Sequence, residues 1–248
     1  MIKNQTTREE REVKHFESLD KEHSYAWWGS RTPAAKIRIE RRVNVLKELL
    51  DLKSGNKILE CGCGTGDFTI EIAKALNKEI KIYAVDLSKS QIEIAIKKNL
   101  NSNIQFLTGN IAKLNFDDNY FDSVIGNAIL HHLDINIALE EIKRILKPGG
   151  KLLFFEPNML NPHIWLSLNI RLFRKLYQAS PDETAFFRWE LEKKLKSLGF
   201  KNVTVKPFDF MYPLLPQNLL ELMKTVEIIV EKTFLNEIAG SLITFAKK

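Results

Sequence analysis

Three glycines at alternate positions, Gly62, Gly64 and Gly66, lie where an apolar run gives way to a helical pattern. Glycine lets a backbone turn sharply and lets a ligand lie against it. The first backbone amides of the helix that follows can then donate hydrogen bonds to that ligand. The stretch therefore predicts a small-molecule site, with a tight turn that binds nothing as the alternative.

An acidic residue just after the glycines indicates the charge of such a ligand. Asp67 stands where the dinucleotide-binding fingerprint has its third glycine, counting from Gly62 and Gly64. A carboxylate there would repel the pyrophosphate of NAD, so an NAD-dependent oxidoreductase is a disfavoured alternative. A ligand that carries a positive charge and no phosphate fits better.

Two adjacent histidines, His131 and His132, are candidates for acid–base chemistry. Imidazole titrates near neutral pH, which suits removal of a proton from a hydroxyl or from an acidic carbon. The alternative is structural, with one ring packed in the core and the other bonded to a loop. The sequence leaves both interpretations open.

Short apolar runs alternate with helical patterns along most of the chain. Five of the runs predict strands, at residues 57–61, 80–86, 104–109, 121–127 and 151–156. The helix before the fifth strand ends at Lys147-Pro148-Gly149-Gly150, where proline and glycine turn the chain. Two further strands are predicted at 203–209 and 241–246.

This alternation predicts an α/β fold, with a doubly wound, mostly parallel sheet covered by helices on both faces. Open sheets of this kind bind ligands beyond the carboxyl ends of their strands. The glycines, the histidines and Asp86 all follow or end predicted strands. We therefore expect them to meet at one edge of the sheet.

The composition is ordinary for a soluble globular protein. The chain has 248 residues, 44% hydrophobic and 27% charged, which is enough for a large core. No apolar run reaches the roughly 18 residues of a membrane-spanning helix, and the N-terminus is too polar for a signal peptide. With Cys61 and Cys63 as the two cysteines, no disulfide framework is expected, which favours a cytoplasmic location.

The motif Glu-x-Gly-x-Gly-x-Gly at 60–66 resembles motif I of the class I S-adenosylmethionine-dependent methyltransferases. Asp86 ends the second strand, where that family has an acidic residue, and FDSVIGNAILHHL and LKPGGKLLFFEP are similar to the strands of its small-molecule branch. The resemblance implies a Rossmann-like methyltransferase fold with seven strands. It also implies S-adenosylmethionine as cofactor and transfer of its methyl group to an acceptor.

The resemblance extends to individual cofactor contacts. Glu60 would help hold the methionine amino group, and Asp86 would bind the ribose hydroxyls. Asn110 replaces the usual aspartate near the adenine, and its side-chain oxygen can still accept from the adenine amine. The implied cofactor-binding residues are Glu60, Gly62, Cys63, Gly64, Gly66, Asp86, Leu87, Asn110, Ile111 and Asn127.

One domain is expected over residues 1–248. It would comprise an N-terminal helical cap at 1–50, a cofactor-binding core at 51–156, an inserted lid at 157–187 and the remainder of the sheet at 188–248.

Absent motifs narrow the acceptor. No Asn/Asp-Pro-Pro-aromatic sequence follows the fourth strand, where enzymes that methylate base amines carry it. No cysteine follows the fourth or fifth strand, which disfavours cytosine C5 methylation through a thiolate. No cluster of acids suggests a divalent ion, so no metal is expected.

Two segments are expected to form the acceptor site, one before the first strand and one after the fifth. Candidate contacts are Tyr25, Trp27, Trp28, Glu156, Asn158 and His163. The second segment also predicts an amphipathic helix within 164–178, whose apolar face carries Trp165, Leu168, Leu172 and Leu176. Such a helix could lean on a membrane surface or line a pocket, and a plain lid is the alternative. These features favour a small, apolar or lipid-like acceptor.

The charge distribution leaves other functions open. The net charge is +6, and Arg31–Lys47 holds six basic residues. An RNA methyltransferase that uses this segment is one alternative, although a nucleic-acid partner is not favoured. A protein that binds S-adenosylmethionine without turnover is another, since no catalytic side chain is indispensable. The acceptor and the oligomeric state stay open.

Overall fold

The computed structural model describes residues 7–18, 32–180 and 182–248. Tyr25, Trp27 and Trp28, three of the predicted acceptor contacts, lie outside the described residues, as does Arg31.

A seven-stranded sheet organises the described chain, in the order β3-β2-β1-β4-β5-β7-β6. Strands β1 to β5 pair in parallel, and β7 runs antiparallel to both β5 and β6. The prediction of a doubly wound, mostly parallel sheet is confirmed. The strands are β1 Lys57–Cys61, β2 Lys81–Asp86, β3 Ile104–Thr108, β4 Phe121–Asn127, β5 Leu146–Pro157, β6 Lys201–Phe208 and β7 Ser241–Lys247.

Helices connect and cover these strands. Those in the described residues are α1 Arg8–Ser18, α2 Pro33–Leu50, α3 Asp67–Ala75, α4 Lys89–Lys98, α5 Ile135–Ile145, α6 Pro162–Asn169, α7 Arg171–Leu176, α8 Arg188–Ser197 and α9 Leu220–Val230. Short 3₁₀ turns occupy Leu130–His132, Gln217–Leu219 and Phe234–Ile238. None of the helices within the described ranges combines the length and the apolar character that crossing a bilayer requires.

Local sequence signals set where the helices begin. The Ser88 side chain accepts from the amide of Gln91 and caps α4, as its spacing predicts. The Thr32 side chain caps α2, and proline follows at the first helical position. The Asp134 carboxylate accepts from two amides at the start of α5. These caps fix the loops that leave the carboxyl ends of the strands.

The core lies on both faces of the sheet. On β1, Leu59 packs into a cluster with Leu139 and Ile142 of α5, whereas Ile58 packs on the other face with Leu46 of α2. Successive strand residues point to opposite faces, so a strand apolar on both sides must be covered twice. The carboxyl edge is thereby left as the open side of the sheet.

Strand β5 begins earlier than the sequence predicts. Leu146 pairs with Phe121 of β4, and a register shift follows before the ladder continues. Gly149 has φ 76° and its amide donates to the carbonyl of Lys248. The helix ends at Ile145, just before this segment as predicted, but pairing with β4 and with the end of β7 makes the Pro-Gly-Gly segment a bulge within an irregular strand rather than a separate turn.

The predicted single helix after the fifth strand is also wrong. Ile170 has φ −108° and ψ 117°, an extended conformation that separates α6 from α7. Leu168 is buried, whereas Leu172 is 72% and Leu176 56% exposed. Of the four apolar residues, Leu168 of α6 therefore faces inward, whereas Trp165 of α6 and both leucines of α7 face solvent.

Candidate active site

A cavity of about 900 Å³ lies at the carboxyl ends of the central strands. Its lining includes Glu60 from β1, Asp86 from β2, Asn127 from β4 and Glu156 from β5. The strands thus gather these residues at one edge, as their positions in the sequence predict. Helices α1, α2 and α6 and the segment at 209–213 supply further parts of the wall.

The glycine loop forms the floor nearest β1. Gly62, Gly64 and Gly66 have φ values of 68°, 53° and 76°, a left-handed region that side chains disfavour. A β-carbon on Gly62 would lie 2.5 Å from the Ile129 side chain, and one on Gly66 would lie 2.8 Å from Phe106. At these two positions, both the backbone conformation and the lack of space require glycine.

Asp86 bonds both to the glycine loop and to the loop that follows β2. Its carboxylate accepts from the amides of Gly64, at 2.8 Å, and Ser88, at 2.9 Å. Burial raises the pKa of the carboxyl group, although the amide donors oppose that effect. A carboxylate offers about four acceptor positions, so Asp86 retains capacity for the two hydroxyls of a diol.

Glu60 is a buried acid without a full set of partners. It is 1% exposed, and no described residue forms a hydrogen bond with its Oε2. Burial raises its pKa to about 7; the neighbouring Thr69 hydroxyl opposes the rise, and the charges of Asp86 and Asp67 add to it. An ammonium group in the cavity would satisfy this oxygen and favour its ionised form.

The other expected cofactor contacts also lie in the lining, namely Cys63, Leu87, Asn110 and Ile111. The Asn110 side-chain oxygen accepts from the amide of Ala112 at 2.8 Å, which orients that side chain. Burial raises the pKa of the Cys63 thiol well above its ordinary value, which disfavours the reactive thiolate form.

Arginines of α2 form a part of the site that the sequence analysis missed. Arg42, 7% exposed, donates to Asn127 and, through Nη2, to Ser241 at 2.9 Å and Asp209 at 3.3 Å. Arg38 also donates to Asp209, at 2.6 Å. Burial opposes ionisation of Asp209, but the arginines overcome it and lower its pKa. Two guanidinium groups and one carboxylate thus line the cavity together.

Ion pairs reduce the positive charge that the basic segment of α2 presents to solvent. Arg41 forms ion pairs with Glu227 and with Glu231, the latter at 2.8 Å. Together with Arg38 and Arg42, three of its basic residues are engaged with acids rather than facing solvent. The charge pattern in the sequence therefore overstates the positive surface available to RNA phosphates.

Glu156 and His131 form a buried pair at the end of β5. The carboxylate accepts from the backbone amides of Ile129, at 3.2 Å, and Leu130, at 2.9 Å. It also lies 2.8 Å from Nδ1 of His131, whose residue is 2% exposed. Glu156, predicted to contact the acceptor, thus lies beside one of the two candidate bases.

His132 packs against His131, with ring centroids 4.0 Å apart. Nδ1 of His132 lies 2.9 Å from Glu12 of α1. Burial is the largest cause that lowers the pKa of His132, and the nearby His131 is the second. Ligand atoms of His131, His132 and Glu183 lie within 4.8 Å of one another, a set that could hold a divalent ion. The expectation that no such group exists missed this set, because Glu183 is distant in the sequence.

The acceptor candidates after β5 divide into two kinds. His163 lines the cavity, and its buried Nε2 forms no hydrogen bond with the described residues. Its ring lies 4.7 Å from that of Tyr177 and 5.2 Å from that of Tyr212. By contrast, the Asn158 amide donates to the carbonyls of Glu237, at 2.8 Å, and Ala239, at 2.9 Å, outside the cavity lining.

Comparison with known proteins agrees with this fold and site. Residues 59–154 match the family described as Methyltransferase domain. A demethylmenaquinone methyltransferase of Staphylococcus carnosus is 34% identical over 185 residues, which cover 67% of this chain and 76% of that one. The enzyme of the same name from Bacillus mycoides is 31% identical over 183 residues, or 65% and 77%.

A solved structure from Thermotoga maritima, described as a methyltransferase and possible histamine N-methyltransferase, superposes with a TM-score of 0.68. It is 21% identical and covers 95% of this chain and 99% of its own, so it supports the fold alone. The chain belongs to the class I S-adenosylmethionine-dependent methyltransferases. Its methyl donor is S-adenosylmethionine.

The cavity fits that donor on three observations. Glu60 carries a buried oxygen that lacks a partner and would accept from an ammonium group, and the glycine loop leaves room against bare backbone. Asp86 has acceptor capacity left for ribose hydroxyls. When bound, the donor supplies a methyl group that is already activated for transfer by its sulfonium.

Proposed function

We propose that this enzyme methylates a small, apolar acceptor with a quinone-like ring. The observation that carries the proposal is the apolar wall beside the donor site, where Ile164 and Leu168 of α6 stand with Phe210 and Met211. The relatives from Staphylococcus carnosus and Bacillus mycoides support it, because their names specify demethylmenaquinone, an apolar quinone.

Alignment and exclusion of water account for much of the expected acceleration. Helix α1 covers the cavity through Glu12, which also accepts from Ser180 at 2.7 Å. Arg11 of the same helix pairs with Asp182 at 2.6 Å. A covered site that holds acceptor and methyl group in line lowers the entropic part of the barrier.

An apolar acceptor also suggests where the enzyme finds it. Trp165 is 47%, Leu172 72% and Leu176 56% exposed, and the bases Arg171 and Lys175 lie in the same segment. Exposed apolar side chains beside basic ones suit the surface of an anionic membrane. We infer that residues 164–178 rest on such a surface from the cytoplasmic side while the acceptor enters.

The direct test supplies S-adenosylmethionine and a reduced demethylmenaquinone with a short isoprenoid chain. We expect S-adenosylhomocysteine and the methylated quinone in equal amounts by mass spectrometry. The Gly62→Ala variant, which disturbs the donor site, is the negative control. Donor binding without any product from this acceptor, or from fractionated host extract with methyl-labelled donor, would favour a protein that binds the donor without turnover.

A further inference from the structure

We infer that His131, His132 and Glu183 form a binding site for a divalent transition-metal ion, with Zn²⁺ as the expected occupant. One ligand atom of each residue lies within 4.8 Å of those of the other two. Both histidines are buried, the Glu183 side chain is only 13% exposed, and all three residues line the cavity. Two imidazoles and one carboxylate are a ligand set found in zinc sites that keep a further coordination position for water or substrate.

The spacing of two ligand atoms suits an ion between them. Nε2 of His131 lies 3.9 Å from Oε1 of Glu183, which is too far for a hydrogen bond. Bonds of about 2.0–2.1 Å in a tetrahedral zinc site place neighbouring ligand atoms about 3.3 Å apart. An approach of about 0.6 Å between the two side chains would therefore bring them to that spacing.

Glu156 holds the His131 ring in the orientation that a metal ligand needs. Its carboxylate accepts from the backbone amides of Ile129 and Leu130 and lies 2.8 Å from Nδ1 of His131. An ionised carboxylate can only accept, so Nδ1 donates to it, and Nε2 is the ring nitrogen on the Glu183 side. A carboxylate behind a ligating histidine fixes the ring and makes the other nitrogen a better ligand.

The other two ligands are also held by a further contact each. Oε2 of Glu12 lies 2.9 Å from Nδ1 of His132, and Oε1 of Glu12 accepts from the Ser180 hydroxyl at 2.7 Å. Oε2 of Glu183 accepts from the Ser180 amide at 2.9 Å, while Oε1 is the oxygen directed at His131. All three side chains are thus positioned by neighbouring groups, as is usual around metal ligands.

The charges around the two rings favour a bound cation. Three carboxylates lie 2.9, 2.8 and 3.9 Å from a ring nitrogen, those of Glu12, Glu156 and Glu183 respectively. The guanidinium of Arg8 lies nearby, where it donates to the backbone carbonyl of His131. Buried charges in proteins are paired or bind metals, and a divalent ion between the rings would offset the charge of these acids.

The ligand types indicate which class of ion binds. Imidazole nitrogen suits Zn²⁺ and Fe²⁺, whereas Mg²⁺ and Ca²⁺ prefer sets of oxygen atoms. The cluster offers two nitrogens and one oxygen, which excludes neither transition ion but disfavours the two hard ions. We therefore expect Zn²⁺, with Fe²⁺ as the ion that shares its ligand chemistry.

The position of the cluster gives the ion a role that rests on the proposed function. The same cavity is lined by the three ligands and by Glu60 and Asp86 of the donor site. An oxygen of the acceptor that bound the ion would be held in place and polarised. This role selects acceptors that carry a hydroxyl or carbonyl oxygen, such as a quinone or its reduced form, over plain hydrocarbons.

Titration of Zn²⁺ alone into the chelator-treated, full-length protein tests the site without any acceptor. By calorimetry and elemental mass spectrometry we expect one Zn²⁺ per chain. Binding should weaken by about 10- to 100-fold in Glu156→Gln, which loosens a ligand, and by more in Glu183→Gln, which removes one. Glu190→Gln, an exposed residue of α8, makes the same change of charge and should bind Zn²⁺ as the wild type does. Unchanged affinity for S-adenosylhomocysteine shows that each variant is folded.

Two results would overturn the site itself: no stoichiometric binding of Zn²⁺ by the wild type, or equal affinity in the wild type and in Glu183→Gln. Tighter binding of Fe²⁺ in an anaerobic titration supports the site and overturns zinc as its occupant, and tighter binding of Mg²⁺ overturns the assignment to a transition metal.

Turnover of reduced demethylmenaquinone separates the role of the ion from its binding. Turnover that a chelator lowers and Zn²⁺ restores supports contact between the ion and the acceptor oxygen. Equal or lower turnover in the presence of Zn²⁺ overturns that contact. If the wild type binds Zn²⁺ through Glu183 but does not methylate this quinol, the acceptor in the proposed function is wrong and the metal site stands.

Discussion

The side chain of Ile129 occupies the space that a side chain on Gly62 would need. A β-carbon at Gly62 would lie 2.5 Å from both Cγ1 and Cδ1 of Ile129. Gly62 follows β1 and Ile129 follows β4, so the donor loop and the turn that carries His131 are in direct contact. The spacing between these two parts of the site therefore depends on a missing side chain.

Replacing Gly62 by alanine should damage both binding and folding. The new methyl group must displace the Ile129 side chain, and the alanine backbone must adopt the φ of 68° that Gly62 has. We expect a loss of about 2–4 kcal/mol in the free energy of unfolding and at least a tenfold weaker affinity for S-adenosylhomocysteine. Urea denaturation and calorimetry measure the two effects.

Gly149→Ala is the matched control. Gly149 has φ 76°, but nothing lies within 4 Å of its β-carbon position. Only the backbone cost of about 1 kcal/mol is expected there, with ligand affinity unchanged. Equal effects of the two substitutions would show that the contact with Ile129 is unimportant.

Stability without ligand should depend on pH through Glu60. The folded-state pKa is about 7, above the ordinary value of 4.5. Between those values the folded state binds more protons than the unfolded state, so stability decreases as pH rises through this window. We expect wild type to lose about 3 kcal/mol between pH 4.5 and 8 relative to Glu60→Gln. Parallel denaturation curves for the two proteins across that range would exclude the effect.

Ligand affinity should depend on pH in the opposite direction. Ionised Glu60 attracts the amino group of S-adenosylhomocysteine, and below a pKa of about 7 that charge is lost in the free enzyme. Affinity should therefore rise from pH 5.5 to 8, by at most about tenfold per unit. Calorimetry would show this rise in wild type and a weak, flat affinity in Glu60→Gln.

Leu172→Glu should weaken binding to vesicles that contain phosphatidylglycerol. Leu172 is 72% exposed in the segment proposed to meet the membrane, and withdrawing one leucine from lipid costs about 1.5–3 kcal/mol. Co-sedimentation at low salt should fall about tenfold. Leu100→Glu, at a residue 96% exposed and outside that segment, makes the same change of charge. If it reduces binding equally, the effect is general electrostatics.

Asp209→Asn should destabilise the fold. The substitution leaves Arg38 and Arg42 without their shared carboxylate, and Arg42 is buried. Breaking a buried ion pair from one side costs about 3–5 kcal/mol. Asp51→Asn removes an exposed pair with Lys53 and should change the free energy of unfolding by less than about 1 kcal/mol. Thermal denaturation distinguishes the two.

The part of the site that binds the methyl donor could be predicted, because short stretches of sequence identify its residues. Glu60, the three glycines and Asp86 each end or follow an apolar run, and the topology of a parallel sheet brings such positions together. Lys98 lies 3.0 Å from the Asp67 carboxylate and offsets its charge, so Asp67 would repel a pyrophosphate less than the sequence alone suggests.

The acceptor half depends on pairings between distant segments. Glu12 reaches His132 from α1, and Asp209 reaches Arg42 from the end of β6. Neither pair has a characteristic spacing in the sequence. The sequence therefore suggests a basic surface, whereas Arg38 and Arg42 pair with Asp209 in the cavity wall. Ile170 likewise separates α6 from α7 within one amphipathic pattern. No proline or glycine in that pattern predicts the end of a helix there.

The order of strands has a consequence for synthesis of the protein. Strand β6 joins the sheet through β7, and β7 follows all the other described strands in the chain, so it leaves the ribosome after them. Until it does, the edge of β5, with Leu152 and Phe154, has no antiparallel neighbour, and exposed apolar edges promote aggregation. A nascent chain can therefore pair β1 to β5 early, yet it stays at risk of self-association until β7 has been made.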